Sequence, residues 1–383
     1  MTSPLTPSGA EALRRGDAAG ARALFEREVT EPGADGPAWA GLLQACRALG
    51  DRAGERAALD GLLAVEPVNV RALILKGDLL AEAGEDRAAA SFYSSALRRA
   101  PPTAETPPDL REGLGRAQAR LRGYAAAYEA WLRERLAAFA GAEEGRRFEQ
   151  ALDLLLGRTQ IYRQEPQVFY FPELPQIQFY PSFEWMAALE AETPAIRAEA
   201  AAVLADAEAF TPYVEAEANR PRVDQFGLMQ RAEWSAFHLW KEGAPVAAAL
   251  ARCPATAAAV ERLPLCRMPG RTPTVLFSLL RAGAHIPPHT GYVNTRLICH
   301  LPLIVPPVCE FRVGNETRPW VEGSAFAFDD TIEHEAWNRS AADRVVLIFD
   351  VWRPELSAGE RARVTAMFEA IDAYGGERTA WSV

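Results

Sequence analysis

The sequence contains few histidines and few cysteines: each type occurs five times among 383 residues. The cysteines are odd in number and show no CxxC spacing, so they predict neither a zinc knuckle nor a disulfide framework. We interpret them as buried, reduced thiols, which are typical of cytoplasmic proteins. A cytoplasmic location is therefore expected.

Long apolar runs and basic clusters are also missing from the sequence. No stretch approaches the roughly 18 consecutive apolar residues of a membrane span. The first residues lack an apolar core, so no secretory signal is expected. The net charge is −10 and the pI is about 5.3. An acidic chain without a basic cluster is poorly suited to phosphate backbones or anionic lipids, so we expect neither nucleic acid nor a membrane as a partner.

The first third of the chain repeats itself at an interval of 34 residues. Glycine–acid pairs mark this interval: Gly16-Asp17, Gly50-Asp51 and Gly84-Glu85. A 34-residue period with helical patterning is typical of tetratricopeptide repeats, in which each helix pair buries its apolar face against the next pair. We therefore predict a helical solenoid over residues 1–101, followed by a linker and further helices over 102–163.

The composition changes after this helical region. From about residue 272, short segments rich in β-branched and aromatic residues alternate with turns containing Gly, Pro, Asn or Asp. Five or more such strands at close spacing predict a β-sandwich or barrel. The predicted fold class is therefore multidomain, with an α-helical solenoid followed over 164–383 by a β domain supported by helices.

Three of the five histidines fall within "HIPPHTGYVNTRLICH", and a fourth lies in "DDTIEHEAWN". Imidazole binds Fe, Cu, Ni and Zn. In a double-stranded β-helix, histidines on two separate strands can face one metal across the barrel mouth, so His289 and His334 are candidate ligands. A lone histidine is more often a core or surface residue, and we interpret His285 and His238 in that way.

Two arginines accompany the histidines. Arg344 opens the strand "RVVLIFDV", and from an inward position it could pair bidentately with the carboxylate of a co-substrate. Strand alternation puts Arg296 on the same face as Ile298 and His300. Arg296 could bind an anionic substrate group or serve as a surface salt-bridge partner. We expect His300 inside its strand, hydrogen-bonded to a neighbour.

These segments, with "FYFPELP" and "GNETRPWVEGSAFAFDD", resemble the aspartyl/asparaginyl β-hydroxylase family of Fe(II)- and 2-oxoglutarate-dependent oxygenases. The resemblance covers about half of the chain, from about residue 165 to 358. It implies that the β domain is a double-stranded β-helix of the jelly-roll or cupin-like type. A tetratricopeptide array preceding such a domain is also part of the resemblance.

The resemblance assigns roles to five residues. It implies that His289 and His334 bind Fe(II). It implies that Ser278 and Arg344 hold the distal carboxylate of 2-oxoglutarate. It also implies that His300 contacts the same molecule.

The usual third iron ligand of related oxygenases, a carboxylate, is absent from the motif "HTG", where Gly291 takes its place. The resemblance implies two protein ligands, with water in the remaining position. One of the nearby acids Asp329, Asp330 and Glu333 could take the place of this ligand, but we interpret them as supporting or turn residues. Because related halogenases also carry a small residue at this position, halogenation stays open.

The implied activity is hydroxylation of an Asp/Asn-like or other side chain of a peptide or protein, with consumption of O2 and release of succinate and CO2. Ile298 occupies a position where animal members of the family are expected to carry a second arginine, so the substrate residue stays open. We expect the solenoid to frame the polypeptide substrate, although it could instead be a scaffold or pack in an oligomer. The sequence is also compatible with a small-molecule hydroxylase or halogenase, with a cupin-like zinc or manganese protein, and with a non-enzymatic adaptor whose oxygenase-like domain is inactive.

Overall fold

A computed structural model describes residues 5–102, 106–139, 145–206, 208–214 and 229–375. The chain divides into two compact units, Met1–Glu149 and Gln150–Val383. The first unit is helical, and the second contains antiparallel β-sheets with helices. The division lies within the segment predicted from the sequence as a linker with further helices.

The first unit is built from consecutive helices. They are α1 Leu5–Arg14, α2 Ala18–Val29, α3 Gly36–Ala48, α4 Arg52–Val65, α5 Val70–Glu82, α6 Asp86–Arg99 and α7 Pro108–Leu136. Another helix, α8 Gly145–Leu155, begins before the division between the units and ends after it.

Glycine turns separate the members of three helix pairs in this unit. Gly16, Gly50 and Gly84 have φ values of 81°, 69° and 76°, a left-handed conformation that glycine adopts without strain. The carboxylates of Asp17 and Asp51 then accept a hydrogen bond from a backbone N–H in the first turn of the following helix. The glycine–acid pairs of the 34-residue interval therefore end one helix and start the next.

Close packing between α5 and α6 depends on a glycine inside a helix. A Cβ atom at Gly77 would lie 2.5 Å from the ring of Tyr93, which is fully buried. The Tyr93 hydroxyl donates a hydrogen bond to Asp78 at 2.8 Å. The absence of a side chain at position 77 is thus what lets the aromatic ring lie against the neighbouring helix.

Replacing Gly77 with alanine is expected to destabilise the helical unit by about 1–3 kcal/mol, because the new methyl group overlaps the Tyr93 ring. Gly115 in α7 is a matched control, since a Cβ atom there meets nothing within 4 Å. Alanine at Gly115 is expected to stabilise the helix by about 0.5–1 kcal/mol. Denaturant unfolding followed by circular dichroism measures both changes, and equal effects would contradict the packing described here.

The helices of the second unit are α9 Glu184–Ala191, α10 Thr193–Leu204, α11 Ala247–Arg252, α12 Pro254–Glu261 and α13 Ala358–Gly375. Its strands are β1 Thr211–Pro212, β2 Trp234–Lys241, β3 Ala244–Pro245, β4 Val275–Leu280, β5 His285–His289, β6 Arg296–Ile304, β7 Cys309–Val313, β8 Glu316–Pro319, β9 Phe326–Phe328, β10 His334–Asn338 and β11 Arg344–Trp352.

The strands form two antiparallel sheets. The larger one has seven strands in the order β1-β2-β4-β11-β6-β9, with β3 paired to β2. The smaller one has four strands in the order β5-β10-β7-β8. Neighbours in the sheets are often far apart in sequence, as for β4 and β11, so residues from distant segments meet in space.

Side-chain alternation gives the larger sheet two different faces. On one face, Phe277 and Leu347 pack in a core with helices α9 to α12. On the other face, Leu276 and Ile348 pack in a core that includes Phe311 from the smaller sheet. The two sheets therefore enclose a space between them, and the candidate site lies in that space.

All five cysteines are free and buried, as the sequence predicted. Within the ranges that the structure describes, no helix is both long enough and apolar enough to cross a bilayer.

Candidate functional site

His289 and His334 face each other across adjacent strands. His289 ends β5 and His334 begins β10, and the two residues are register partners in the smaller sheet. Their ring centroids are 4.1 Å apart, and each residue is only 5% exposed. Two histidines that are distant in the sequence thus become neighbours through strand pairing.

Backbone carbonyls select the same tautomer for both imidazoles. Nδ1 of His289 lies 2.9 Å from the carbonyl oxygen of Pro287, and Nδ1 of His334 lies 3.1 Å from that of Ile332. A carbonyl can only accept, so Nδ1 carries the proton and the lone pair is on Nε2. Burial lowers the pKa of His289 to about 4, and burial followed by the neighbouring His289 holds the pKa of His334 well below its usual range. Both rings are therefore neutral, the form that binds metals.

A carboxylate lies in the same cavity as this pair, although not at the position where the motif would carry it. A Cβ atom built on Gly291 would lie 2.0 Å from Oδ2 of Asp330. The backbone N–H of Gly291 donates to the carbonyl oxygen of Asp330 at 2.6 Å. The carboxyl group of Asp330 thus occupies the space that a side chain at position 291 would need.

Asp330 is fully buried, and neither of its carboxylate oxygens has a hydrogen-bond partner among the described residues. Burial raises the pKa of Asp330 to about 7, while the charge of Arg296 opposes that shift. A buried carboxylate without hydrogen bonds is costly unless a cation or donor arrives. Of the three nearby acids considered as a replacement for the missing ligand, Asp330 is the one that lines the cavity of the histidine pair.

The two other acids near His334, Asp329 and Glu333, are paired with residues that do not line this cavity. Asp329 accepts hydrogen bonds from Gln164 at 2.7 Å and from Arg353 at 2.9 Å, which anchor the turn before His334. Glu333 pairs with Arg312 at 2.8 Å. Among the described residues there is no group of three or more His, Cys, Asp or Glu that could hold a metal. The groups in this cavity that could bind a cation are the two neutral imidazoles and the Asp330 carboxylate, whose oxygens accept no hydrogen bond from the described residues.

Arg344 supplies a buried positive charge to the same cavity. It begins β11, and its Nη1 lies 3.4 Å from the carbonyl oxygen and 3.5 Å from Oγ of Ser278 on β4. Its guanidinium lies 4.5 Å from the centre of the Trp320 ring. It is 2% exposed, forms no ion pair with the described residues, and its Nε atom has no hydrogen-bond partner there.

Burial without a counter-ion lowers the pKa of Arg344 to about 10. An isolated charge in a protein interior is strongly unfavourable. The residues around Arg344 therefore fit an anionic ligand, and a carboxylate matches the fork of a guanidinium.

A hydrogen bond from Trp320 fixes the tautomer of His300 in which Nε2 is the donor. The indole N–H of Trp320 donates to Nδ1 of His300 at 3.3 Å, so the proton of this histidine is on Nε2. The centroid of its ring lies 5.1 Å from those of Phe311, Phe326 and Phe328. Burial and then Arg344 hold the pKa of His300 well below its usual range. The ring is therefore neutral and hydrogen-bonded to a neighbour, as predicted for a strand interior.

One cavity brings together Ser278, His289, His300, Asp330, His334 and Arg344. Apolar residues that complete its lining include Ile286, Ile298, Phe311, Phe328, Ala336 and Ile348. Five of the six site residues proposed from the sequence lie in this lining. Asp330 was one of three acids that the sequence left as possible replacements for the missing ligand. Sequence reasoning missed the indole of Trp234, which donates to Ser278 Oγ at 3.2 Å.

Arg296, the sixth site residue, lines a second, adjacent cavity. It is 2% exposed, so of its interpretation as a surface salt-bridge partner the surface position was wrong, while ion pairs with acids are present. Its Nη1 lies 3.3 Å from Oδ2 of Asp350, and its Nη2 lies 3.6 Å from Oδ2 of Asp330. The alternation of β6 carries Arg296 inward with Ile298, and carboxylates from β11 and the turn before β10 then surround its charge.

The two remaining histidines are not in the first cavity. His285 stacks on Trp337 at a centroid distance of 5.3 Å, and its Nε2 lies 3.0 Å from a Glu335 oxygen. His238 lies on β2 and lines the second cavity. Neither one joins the imidazole pair.

Comparison with known proteins shows similarity between the second unit and a family of hydroxylases. Residues 190–354 match the family model described as "Aspartyl/Asparaginyl beta-hydroxylase". The mouse "Aspartyl/asparaginyl beta-hydroxylase" is 38% identical over 142 residues, which cover 37% of this chain and 19% of that protein. The chain thus spans about a fifth of the length of that relative.

Two further relatives align over a longer part of the chain. An "Ornithine lipid ester-linked acyl 2-hydroxylase" from Rhizobium tropici is 36% identical over 183 residues, 47% of this chain and 61% of that protein. The mouse "Aspartate beta-hydroxylase domain-containing protein 1" is 30% identical over 256 residues, 65% of this chain and 66% of that protein.

Proposed function

Residues 190–354 belong to the aspartyl/asparaginyl β-hydroxylase family, and from this premise we propose that the chain is an Fe(II)- and 2-oxoglutarate-dependent dioxygenase. The observation that carries the proposal is the buried, uncompensated guanidinium of Arg344 in the same cavity as the His289–His334 pair. The pair fits a cation and the arginine fits an anion. A metal and a dicarboxylate bound together satisfy both.

The proposed reaction hydroxylates an Asp/Asn-like or other side chain of a peptide or protein. The substrate C–H, 2-oxoglutarate and O2 give the alcohol, succinate and CO2. When bound, Fe(II) would supply the activation of O2 that this oxidation needs. The residues of the chain bind, orient and shield the reactants.

His289 and His334 would hold the metal through their Nε2 atoms, because their Nδ1 atoms are committed to backbone carbonyls. Asp330 offers two further oxygen acceptors in the same cavity. Its carboxylate would also offset part of the charge of a divalent cation in this buried space.

The distal carboxylate of 2-oxoglutarate would pair with Arg344, with the Ser278 hydroxyl as a second contact. The Nε2–H of His300 would donate to the same molecule, because Trp320 holds the opposite ring nitrogen as an acceptor. The surrounding phenylalanines exclude water, which strengthens these charged hydrogen bonds.

The fold of each of the two units can also be assigned. We propose that the two sheets of the second unit form a double-stranded β-helix and that the first unit is a tetratricopeptide array. The glycine turns at a 34-residue interval support the second assignment. Such arrays bind extended peptides on a concave surface, which is consistent with a polypeptide substrate.

The five free cysteines support a location in the cytoplasm.

A small-molecule hydroxylase is the second candidate, and the similarity to the Rhizobium tropici acyl hydroxylase favours it. Halogenation is disfavoured, because the space at Gly291 is occupied by the carboxylate of Asp330 and a second anion there would be repelled. A non-enzymatic adaptor does not account for a buried arginine that lacks a counter-ion.

The proposed activity is tested by incubating the full chain with Fe(II), O2, 2-oxoglutarate and a peptide library that contains Asp and Asn. We expect formation of succinate, and on one or more peptides a mass increase of one oxygen. Hydroxylation of lipid acyl chains in a parallel reaction would instead support the second candidate. No succinate under any condition would contradict the proposed activity.

Replacing Gly291 with alanine is expected to weaken metal binding about tenfold, because the new Cβ atom displaces the carboxylate that shares the cavity with the imidazole pair. Gly359 is the control, since a Cβ atom there meets nothing and the residue is in α13. Titration with Mn(II), followed by electron paramagnetic resonance, measures both affinities. Wild-type affinity in Gly291→Ala would show that Asp330 has no part in the metal site.

A further inference from the structure

Arg296 has its positive charge already compensated within the protein. It is buried on β6, with Oδ2 of Asp350 at 3.3 Å from Nη1 and Oδ2 of Asp330 at 3.6 Å from Nη2. Asp350 is fixed in turn, because its Oδ1 accepts a hydrogen bond from the backbone N–H of Thr274 at 2.8 Å. One carboxylate is enough to balance one guanidinium, so a further anion placed here would meet no net positive charge.

The residues that the two cavities share are mainly apolar. Tyr213, Ile298 and Ile348 line both cavities, and Leu276 lies beside them in the second. The second cavity also contains Lys241, next to Glu242 in the sequence. Ile298, next inward along the strand from Arg296, cannot contact an anion favourably.

The other buried cation of the site is not available to a substrate. In the proposed function, Arg344 holds the co-substrate carboxylate. Arg344 is the only arginine or lysine among the described residues that line the first cavity, Arg296 is paired with Asp350, and the exposed Lys241 lines only the second cavity. A carboxylate arriving with the substrate would therefore lose its hydration without gaining an ion pair.

We propose that the group brought to the metal for hydroxylation is an uncharged, mainly aliphatic side chain, and that the site selects against a carboxylate. The inference rests on the proposed function and narrows its substrate class from Asp/Asn-like side chains to neutral ones. Asparagine and aliphatic residues satisfy it, whereas aspartate does not.

The test uses the full chain loaded anaerobically with Fe(II) and 2-oxoglutarate. Three acetylated and amidated tripeptides, Gly-Leu-Gly, Gly-Asn-Gly and Gly-Asp-Gly, serve as probes, and their binding is followed by calorimetry. We expect the Leu and Asn probes to bind at least about tenfold more tightly than the Asp probe, a modest value for one desolvated charge. Equal or tighter binding of the Asp probe would overturn the inference.

Failure of all three probes to bind would also overturn the inference about the substrate. If 2-oxoglutarate still bound in the same sample, the proposed function would stay intact. Absence of 2-oxoglutarate binding would remove the proposed function itself. The two failures are therefore distinguishable.

Asp350→Asn tests the cause of the selectivity. Asparagine keeps the Oδ1 acceptor for Thr274 and removes only the charge. Arg296 then has only Asp330 beside it, and in the proposed function that carboxylate also offsets the charge of the metal, so the attraction of Arg296 for anions increases. We expect the preference for the Asn probe over the Asp probe to fall about tenfold. Asp343→Asn is the matched control, because Asp343 also accepts from an arginine and a backbone N–H, Arg281 and Ala282, but lies outside both cavities. The same preference in Asp350→Asn and wild type would contradict the charge explanation.

Discussion

Arg344→Gln is expected to weaken the binding of 2-oxoglutarate by about two orders of magnitude. The guanidinium is buried, forms no ion pair with the described residues and lies against Ser278 and Trp320. A buried charge pair that loses one member typically costs about 2–5 kcal/mol, about 30-fold or more in affinity. Calorimetric titration of 2-oxoglutarate into the Mn(II)-loaded protein measures the change.

The stability of the unliganded variant separates this role from a structural one. A buried charge without a counter-ion destabilises the protein, so Arg344→Gln is expected to leave the free energy of unfolding unchanged or to raise it. The stabilisation that 2-oxoglutarate gives the native protein should be lost in the variant. A strongly destabilised variant would point to a structural role for Arg344. Arg344→Lys is a further control with an intermediate expected loss, because lysine keeps the charge but not the bidentate geometry.

His289→Ala and His334→Ala are each expected to reduce the affinity for Fe(II) by about two orders of magnitude or more. The two imidazoles are the only protein nitrogen donors that we assign to the metal, so each variant leaves a single one. Loss of a group that only supports a ligand costs about 10–100-fold, and loss of a ligand should exceed that. Equilibrium titration of metal with a competing chelator measures the affinities.

His285→Ala is the matched control for both variants. His285 is on the same strand as His289, but it stacks on Trp337 and pairs with Glu335 instead of joining the imidazole pair. Its replacement should leave metal affinity within about twofold of wild type. If all three variants lost metal binding equally, the effect would be on the sheet that contains β5 and β10 and not on the ligands.

Sequence patterns were sufficient for the features that depend on local order. The interval between Gly16, Gly50 and Gly84 predicts helix pairs, because only glycine turns the chain freely there and each turn repeats the same geometry. The strand containing Arg296, Ile298 and His300 was also predictable, since alternation places all three side chains on one face.

The partners of those side chains were not predictable, because they come from elements that are distant in sequence. From the sequence alone, Arg296 could be a surface arginine or a substrate-binding arginine. In the structure, β11 and the turn before β10 place Asp350 and Asp330 beside it. The sequence left Asp329, Asp330 and Glu333 as acids that could replace the missing ligand, and only the structure shows that Asp330 fills the space at Gly291. The tautomer of His300 depends on Trp320, for which the sequence gives no signal.

The most direct test is an anaerobic titration of 2-oxoglutarate into the Fe(II)-loaded chain, followed by absorption spectroscopy. If one cavity holds both the metal and the dicarboxylate, a metal-to-ligand charge-transfer band will develop with saturation in the native protein. The band will be absent in His289→Ala and will require far more 2-oxoglutarate in Arg344→Gln. A native chain that shows no band at saturating iron and 2-oxoglutarate would contradict the proposed site.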